Sequence, residues 1–180
     1  MISPIRVYCL MLVILLAGSL MASTLDARAA VRTQADEIRH QIVMSPYYGV
    51  FDWIDAQYQS RAVVVLRGQV REPYAKSDIA SRIGKIEGVA KVVNEIEVMP
   101  VSPSDDRIRV ATYRAIFRYN GPLFRYANTV NPSIHIIVKN GRVTLKGVVA
   151  DSGDRQLAYF AARYVPGVFE VNNDLTVKKS

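Results

Sequence analysis

Side chains that could carry out catalysis or hold a metal ion are few and scattered in this sequence. The two histidines, His40 and His135, fall on a predicted helix and a predicted strand, and neither has a partner at metal-ligand spacing. The sole cysteine, Cys9, lies in an apolar N-terminal stretch, so the rest of the chain offers no thiolate nucleophile. We therefore expect no metal, no cofactor and no catalytic residue, and we expect that the protein is not an enzyme.

Two acidic pairs could in principle act as general acid and base. They are Asp105 with Asp106, and Asp151 with Asp154. Each pair stands where a helix is predicted to begin, and carboxylates stabilise helix N-termini through the helix dipole. Ser102 at the N-cap and Asp105 three positions on also fit a capping box. We expect these acids to be structural.

One group of side chains has a pattern that suits binding rather than catalysis. Within a predicted helix over 151–164, Leu157, Phe160 and Tyr164 recur at spacing i, i+3, i+7 and form an apolar stripe. Aromatic residues with cations beside them suit insertion into an anionic headgroup layer, where each cation adds roughly 1 kcal/mol. The candidate membrane or partner contacts are Arg155, Leu157, Tyr159, Phe160, Arg163 and Tyr164.

Three interpretations of the apolar stripe are open. Its side chains are buried against the first part of the chain or a linker, they contact lipid, or they contact a protein partner. Their exposure to solvent in a structure would favour lipid contact, whereas burial would remove this candidate site.

The elements that must position these residues come from an internal duplication. The segment Gly88–Val98 recurs as Gly167–Val177 at an offset of 79 residues, and Leu66–Val70 recurs as Leu145–Val149 at the same offset. Two matched blocks at one spacing indicate two copies of one structural unit. The apolar stripe occupies positions that are polar in the first copy, where Asp78, Ser81 and Lys85 stand.

Each copy is predicted to run helix, strand, strand, helix, strand. The fold class is therefore α+β, with two tandem two-layer sandwiches. We expect the first domain at 31–99, a linker at 100–106 and the second domain at 107–180. A hairpin turn is predicted at Asn140-Gly141.

Several marked residues have a structural explanation. We expect Gly68 and Gly147 to let a strand bend or approach a helix closely, and Gly88 and Gly167 to cap helices. The repeated asparagines at 94 and 173 interrupt apolar strands with a side chain that can bond nearby backbone. A strand is predicted from Val50 to Tyr58, and the sole tryptophan, at position 53 in that strand, is expected at the contact between the two copies.

These motifs resemble the BON domain family, named for bacterial OsmY and nodulation proteins. The matching residues are Val64–Val70 with Gly88–Val98, and Val143–Val149 with Gly167–Val177. The resemblance implies a periplasmic location, association with phospholipid membranes or envelope partners, and no catalysis. The N-terminal cysteine lacks the small-residue context of a lipoprotein signal, which does not fit the lipid-anchored subgroup.

The N-terminal residues are typical of an export signal. Arg6 precedes an uncharged stretch over 7–22, and Ala27-Arg28-Ala29 offers a peptidase site, so residues 1–29 are predicted to be a signal peptide. Cleavage after Ala29 or Ala30 fits, and an uncleaved anchor is the alternative. The cleaved chain would keep a net charge of about +6. For an exported protein, anionic lipid is a more plausible partner for that charge than nucleic acid.

We therefore expect a non-enzymatic periplasmic protein that associates peripherally with anionic phospholipid membranes. In the family that the chain resembles, this would support envelope integrity under osmotic or other stress. The alternative is a soluble periplasmic adaptor or chaperone-like module that binds envelope proteins.

Overall fold

The computed structural model describes residues 34–60, 62–127 and 132–178. The predictions made for the N-terminal segment, which are the signal peptide over 1–29, its cleavage after Ala29 or Ala30 and the setting of Cys9, lie outside those residues. Among the described residues, none of the helices combines the length and apolar character needed to cross a bilayer.

The first repeat has the predicted order of elements. Helix α1 covers residues 34–43, and it is followed by β1 (Trp53–Ser60), β2 (Val63–Val70), α2 (Pro73–Ile83) and β3 (Lys91–Val98). The sheet order is β1-β2-β3, with β1 antiparallel and β3 parallel to β2. The parallel pair requires a crossover connection, which α2 supplies.

The second repeat has the same topology. Its elements are α3 (Pro103–Ile116), a short 3-10 turn (Phe124–Tyr126), β4 (Ile134–Lys139), β5 (Arg142–Val149), α4 (Ser152–Arg163) and β6 (Glu170–Val177). The sheet order is β4-β5-β6, again with one antiparallel and one parallel pair. Leu66 pairs with Asn94 in the first sheet, and Leu145 pairs with Asn173 in the second. This equal register confirms the predicted pair of α+β sandwiches.

The core of each repeat lies on one face of its sheet, where alternate strand residues point toward the helices that cover that face. In the first repeat, α2 packs on β2 and β3, and its buried residues are Ala75, Ile79 and Ile83. In the second repeat, α3 and α4 cover the sheet. The fully buried side chains of that core are Ile134, Ile136, Val138, Val143, Leu145, Ala158 and Ala162.

Gly68 and Gly147 are needed where two strands approach closely. Both have a positive φ, 133° and 118°. A Cβ added at Gly68 would lie 1.9 Å from the carbonyl oxygen of Trp53, and one at Gly147 would lie 2.0 Å from that of Ser133. The atoms in the way belong to the backbone at the start of the neighbouring antiparallel strand. The expected close approach to a helix is therefore wrong.

Gly88 and Gly167 form turns after the helices rather than capping them. Helix α2 ends at Ile83, where Gly84 is the C-cap residue. The N–H of Val89 then donates to the carbonyl of Ile86, and Gly88, with φ of 83°, occupies the third position of that turn. A β-turn of this kind favours glycine there because the residue has a positive φ. The same arrangement recurs around Gly167, whose φ is 88°.

The repeated asparagines connect the last strand of each unit to its second helix. The Nδ2 atom of Asn94 donates to the carbonyl oxygen of Lys76, at 2.9 Å, and its Oδ1 accepts from the N–H of Ile96. Asn173 makes the equivalent bonds to Arg155 (2.8 Å) and Leu175. The predicted backbone contacts of these asparagines are confirmed, and the bond to the helix is an additional finding.

The Asn140-Gly141 hairpin turn is confirmed, with φ of 53° and 73° at its two residues. Asp105 on α3 has a different role from the one predicted. The hydroxyl of Ser102 accepts from the N–H of Asp105, at 3.2 Å, as a capping residue should. The buried carboxylate of Asp105 instead accepts the N–H groups of Asn140 (2.9 Å) and Gly141 (2.8 Å). It therefore fastens the hairpin turn to α3. The predicted linker over 100–106 also includes the first turn of this helix, which begins at Pro103.

The two repeats touch through the segment that precedes β1. The strand predicted to begin at Val50 begins instead at Trp53, and residues 50–52 lie in a turn region before it. Val50 accepts a hydrogen bond from the N–H of Ile136 on β4 (2.8 Å), and the ring of Trp53 lies 5.3 Å from that of His135. The expected position of the tryptophan at the contact between the copies is confirmed.

Candidate functional site

Helix α4 carries the predicted contact residues, and hydrogen bonds hold its N-terminus in place. The carboxylate of Asp151 accepts from the N–H of Asp154, at 2.9 Å. The buried carboxylate of Asp154 accepts from the hydroxyl of Tyr126 and from Arg125, and that hydroxyl accepts from the N–H of Ala150 (2.8 Å). Asp151 and Asp154 therefore both have a structural role, because their hydrogen bonds orient α4 on its sheet.

The inner face of α4 consists of small residues, and its outer face carries the apolar stripe. Ala158 and Ala162 are fully buried, so the helix packs close to the sheet. Leu157 and Phe160 are each 44% exposed, and Tyr164 is 81% exposed. The interpretation that the stripe is buried against the first repeat or the linker is therefore wrong.

The aromatic rings on this face contact one another. The ring of Phe160 lies 5.6 Å from that of Tyr159 and 6.5 Å from that of Tyr164, with nearly parallel planes in the second pair. Tyr159 is half-buried and lines a shallow depression of about 420 Å³ together with Arg155 and Asn173. The face therefore presents a continuous set of rings rather than isolated side chains.

Cations border the apolar stripe on the same helix. Arg155 and Arg163 are both exposed. The guanidinium of Arg155 donates to the carbonyl oxygen of Asn173 at 3.2 Å, which directs it toward β6. In the described part of the chain, no ion pair includes Arg163 or Arg118, the latter standing just beyond α3. These positive charges are available to an anionic partner.

The equivalent face of α2 in the first repeat is polar, and its carboxylate is hydrogen-bonded within the first repeat. Asp78, which corresponds to Leu157, accepts hydrogen bonds from the hydroxyl of Ser45 (2.7 Å) and from Nε of Arg82 (2.7 Å). Partial burial opposes ionisation of Asp78, but these two bonds outweigh it and lower the pKa of the carboxyl. The difference between the repeats confines the exposed apolar stripe to the second one.

An apolar groove beside the apolar stripe was not predicted. It runs between the end of α3 and the outer side of α4, with a volume of about 460 Å³. Its lining residues are Ala115, Ile116, Arg118, Tyr119, Asn120, Gly121, Pro122, Leu123, Leu157 and Ala161. The sequence Asn120-Gly121-Pro122 indicates only the end of a helix. The groove depends on the distance between α3 and α4, which no local sequence pattern predicts.

His135 lies at the contact between the repeats rather than at a ligand site. It is buried, with the rings of Tyr48 and Trp53 at 5.4 and 5.3 Å. Burial lowers the pKa of this imidazole, although the hydrogen bond to the Gly49 carbonyl acts in the opposite direction. Within the described residues, no group of three or more His, Cys, Asp or Glu side chains is placed to hold a metal ion.

Comparison with solved structures finds distant likenesses. The C-terminal domain of CdsD, a structural protein of the Type III secretion system of Chlamydia trachomatis, is 11% identical with a TM-score of 0.32. That match covers 80% of this chain and 96% of the other. A second CdsD structure is 12% identical with a TM-score of 0.34, covering 81% and 92%. No curated protein matches the chain.

The family comparison covers most of the sequence. The model of the BON domain matches residues 30–100 and 123–179, one match in each structural repeat. BON domains are non-catalytic binding domains, and the family is linked to interaction with membranes, phospholipids or other proteins. The chain belongs to the BON domain family and contains two BON domains.

Proposed function

We propose that this protein binds anionic phospholipid membranes peripherally through α4 of its second BON domain. The observation that carries the proposal is the exposure of Leu157, Phe160 and Tyr164 beside Arg155 and Arg163. A folded domain that exposes a leucine and two aromatic rings on one helix face has apolar surface that a binding partner could bury.

The energies suit reversible attachment. Complete burial of a leucine or phenylalanine side chain contributes about 1.5–3 kcal/mol. Leu157 and Phe160 have less than half of their surface left to bury, so each would contribute a fraction of that amount. Tyr164 could keep its hydroxyl in the headgroup region while its ring contacts acyl chains. Each nearby cation adds roughly 1 kcal/mol on an anionic surface. The sum favours an equilibrium that membrane composition and salt can shift.

We place this activity in the periplasm, where the protein would support envelope integrity under stress. The export signal predicted over residues 1–29 and the basic character of the remaining chain support this location. A basic protein in that compartment meets anionic headgroups rather than nucleic acid. Fractionation of cells that express the full chain, followed by N-terminal sequencing of the recovered protein, would test both export and the cleavage site.

The membrane proposal is tested by co-sedimentation with vesicles that contain phosphatidylglycerol. We expect the wild-type protein to sediment with these vesicles and not with pure phosphatidylcholine vesicles. Phe160→Asp should lower the partition coefficient between vesicle and solution by about tenfold or more, since it removes apolar contact and adds a negative charge. Ser81→Asp is the matched control, because Ser81 occupies the corresponding exposed position on α2 of the first domain. Equal loss in both variants, or no loss in either, would contradict the proposal.

The second candidate is an adaptor that binds envelope proteins. A separate observation favours it: Tyr47 and Tyr74 of the first domain are 47% and 70% exposed, and their rings lie 6.0 Å apart. Exposed tyrosines are common at the centres of protein interfaces. The adaptor function would replace the membrane function under two conditions. The wild-type protein would have to capture a specific envelope protein without binding vesicles, and Tyr74→Asp would have to abolish that capture.

A further inference from the structure

The groove between α3 and α4 has an apolar interior. Ile116 and Leu123 are almost completely buried and form its floor. Leu157 and Ala161 supply one side from α4, and Tyr119 lies in the loop that follows α3. We call this site the α3–α4 groove. Water in a groove with such a lining makes few hydrogen bonds, so an apolar occupant would be favoured.

A positive charge stands beside this apolar interior. Arg118 lines the α3–α4 groove and is exposed. The last carbonyl groups of α3 carry a partial negative charge of about half an elementary charge. The full charge of Arg118 exceeds it, so the groove combines an apolar interior with a net positive rim. That combination is complementary to an acyl chain attached to an anionic headgroup.

The α3–α4 groove is continuous with the apolar stripe, because Leu157 belongs to both. An interfacial helix buries its apolar face about 5–10 Å into the boundary between headgroups and acyl chains. If α4 lies on a membrane in this way, the groove opens at the depth where acyl chains begin. A lipid in that layer could turn one chain into the groove without leaving the bilayer.

From this geometry we propose that the α3–α4 groove takes up one acyl chain of an anionic phospholipid. The proposal rests on the membrane function proposed above and names the part of the lipid that the second BON domain recognises. Insertion of the apolar stripe would hold the protein on the surface, and capture of a single chain would select lipids whose headgroup can reach Arg118.

The experiment uses single-chain lipids below their micelle concentration, so that no bilayer is present. Lysophosphatidylglycerol carries an anionic headgroup, lysophosphatidylcholine carries a zwitterionic one, and glycerophosphoglycerol has no chain. We expect one lysophosphatidylglycerol to bind per protein, with NMR shifts at the methyl groups of Ile116, Leu123 and Ala161. Binding of lysophosphatidylcholine should be several-fold weaker, and glycerophosphoglycerol should not bind.

Two variants test the site itself. Ala115→Phe places a ring in the α3–α4 groove from an exposed position of α3 and should weaken uptake at least tenfold. Val110→Phe adds the same ring to an exposed position of α3 outside the lining and should leave uptake unchanged. Arg118→Glu should reduce binding of lysophosphatidylglycerol and not of lysophosphatidylcholine, which removes the preference without filling the groove.

The outcomes separate the two proposals. Uptake that is unchanged in Ala115→Phe, or equal for both lysolipids, would overturn the groove assignment even if vesicle binding depends on Phe160. Conversely, a wild-type protein that takes up monomeric lipid but does not sediment with phosphatidylglycerol vesicles would refute the membrane function alone. With both proposals correct, Phe160→Asp loses vesicle binding and keeps uptake of the single-chain lipid.

Discussion

The Nδ1 atom of His135 lies 3.2 Å from the carbonyl oxygen of Gly49, which joins β4 of the second BON domain to the segment before β1 of the first. A carbonyl can only accept, so Nδ1 carries the proton of the neutral imidazole. The rings of Tyr48 and Trp53 enclose the imidazole, and the neighbouring strand position holds Lys146. Lys146 is itself paired with Asp174 (2.7 Å). A second proton on His135 would therefore place a positive charge inside a buried contact, which burial disfavours.

This relationship predicts that stability falls as the pH falls through the range in which histidine titrates. Because burial lowers the pKa of His135 in the folded protein, the unfolded chain takes up a proton first, starting near its ordinary pKa of about 6.5. The loss begins there as pH decreases and continues down to the folded pKa, and each unit between the two values corresponds to about 1.4 kcal/mol. Urea unfolding at about pH 7.5 and about pH 5 would measure it.

His135→Phe should flatten this pH dependence, since the variant has no proton to bind. At about pH 7.5 it should also lose roughly 0.5–1.5 kcal/mol with the hydrogen bond to Gly49. His40→Gln, at an exposed position, provides the matched control and should keep the wild-type profile. A profile that flattened equally in both variants would show that the contact between the domains is not the source.

Asp105 is expected to be one of the most important polar side chains of the second domain. Its carboxylate accepts two backbone N–H groups of the β4–β5 turn, and it is 2% exposed. Asp105→Ala would leave the buried N–H of Gly141 without a partner, at a cost of about 1–3 kcal/mol, and the half-buried bond to Asn140 would be lost as well. Equilibrium unfolding should show a loss of at least about 1 kcal/mol.

The matched control for Asp105→Ala is Asp55→Ala. Asp55 is exposed on β1, and its carboxylate accepts from the side chain of Gln57. Surface substitutions of this kind usually change stability by less than about 0.5 kcal/mol. Similar losses in the two variants would mean that the hairpin turn does not depend on α3.

Much of the fold could be predicted from the sequence because its signals are local and repeated. The equal spacing of the glycine and asparagine motifs indicates the shared topology, and the apolar run that opens β2 and the apolar alternation of β5 are both readable from sequence. The strand predicted from Val50 starts later because Val50 and Phe51 pack on the second domain, which no local pattern indicates. The positive φ of 74° at Ala62, just before β2, was not predicted either, because alanine is a residue type without a turn signal.

The candidate site was likewise predicted in part. The spacing of Leu157, Phe160 and Tyr164 identified the apolar stripe, because a helix face follows from periodicity alone. Whether that face was covered depended on where the first domain lies, and the structure shows that it is exposed. The α3–α4 groove could not be anticipated, since it arises from the packing of two helices that are far apart in the chain.

The glycines at the strand contacts make a third prediction. Gly147→Ala should destabilise the protein by at least about 1–3 kcal/mol, because the new Cβ would meet the carbonyl of Ser133 at 2.0 Å in a conformation with φ of 118°. Gly84→Ala is the matched control, with φ of −64° and no atom closer than 3.4 Å. It should be neutral or stabilise by about 0.4–1 kcal/mol, since alanine restricts the unfolded chain. Thermal unfolding should show a lower melting temperature for Gly147→Ala and an unchanged or higher one for Gly84→Ala.

The cations beside the apolar stripe give the last prediction. Arg163→Gln should weaken binding to phosphatidylglycerol vesicles by roughly 1 kcal/mol, about a fivefold change, because an exposed arginine near an anionic surface contributes that amount. Lys91→Gln removes the same charge from an exposed position on β3 of the first domain and is the matched control. If α4 faces the membrane, the effect of Arg163→Gln should shrink as salt is raised. The Debye length is about 8–10 Å near physiological ionic strength, and added salt shortens it further. Equal effects of both variants would instead indicate attraction by total charge, with no preferred face.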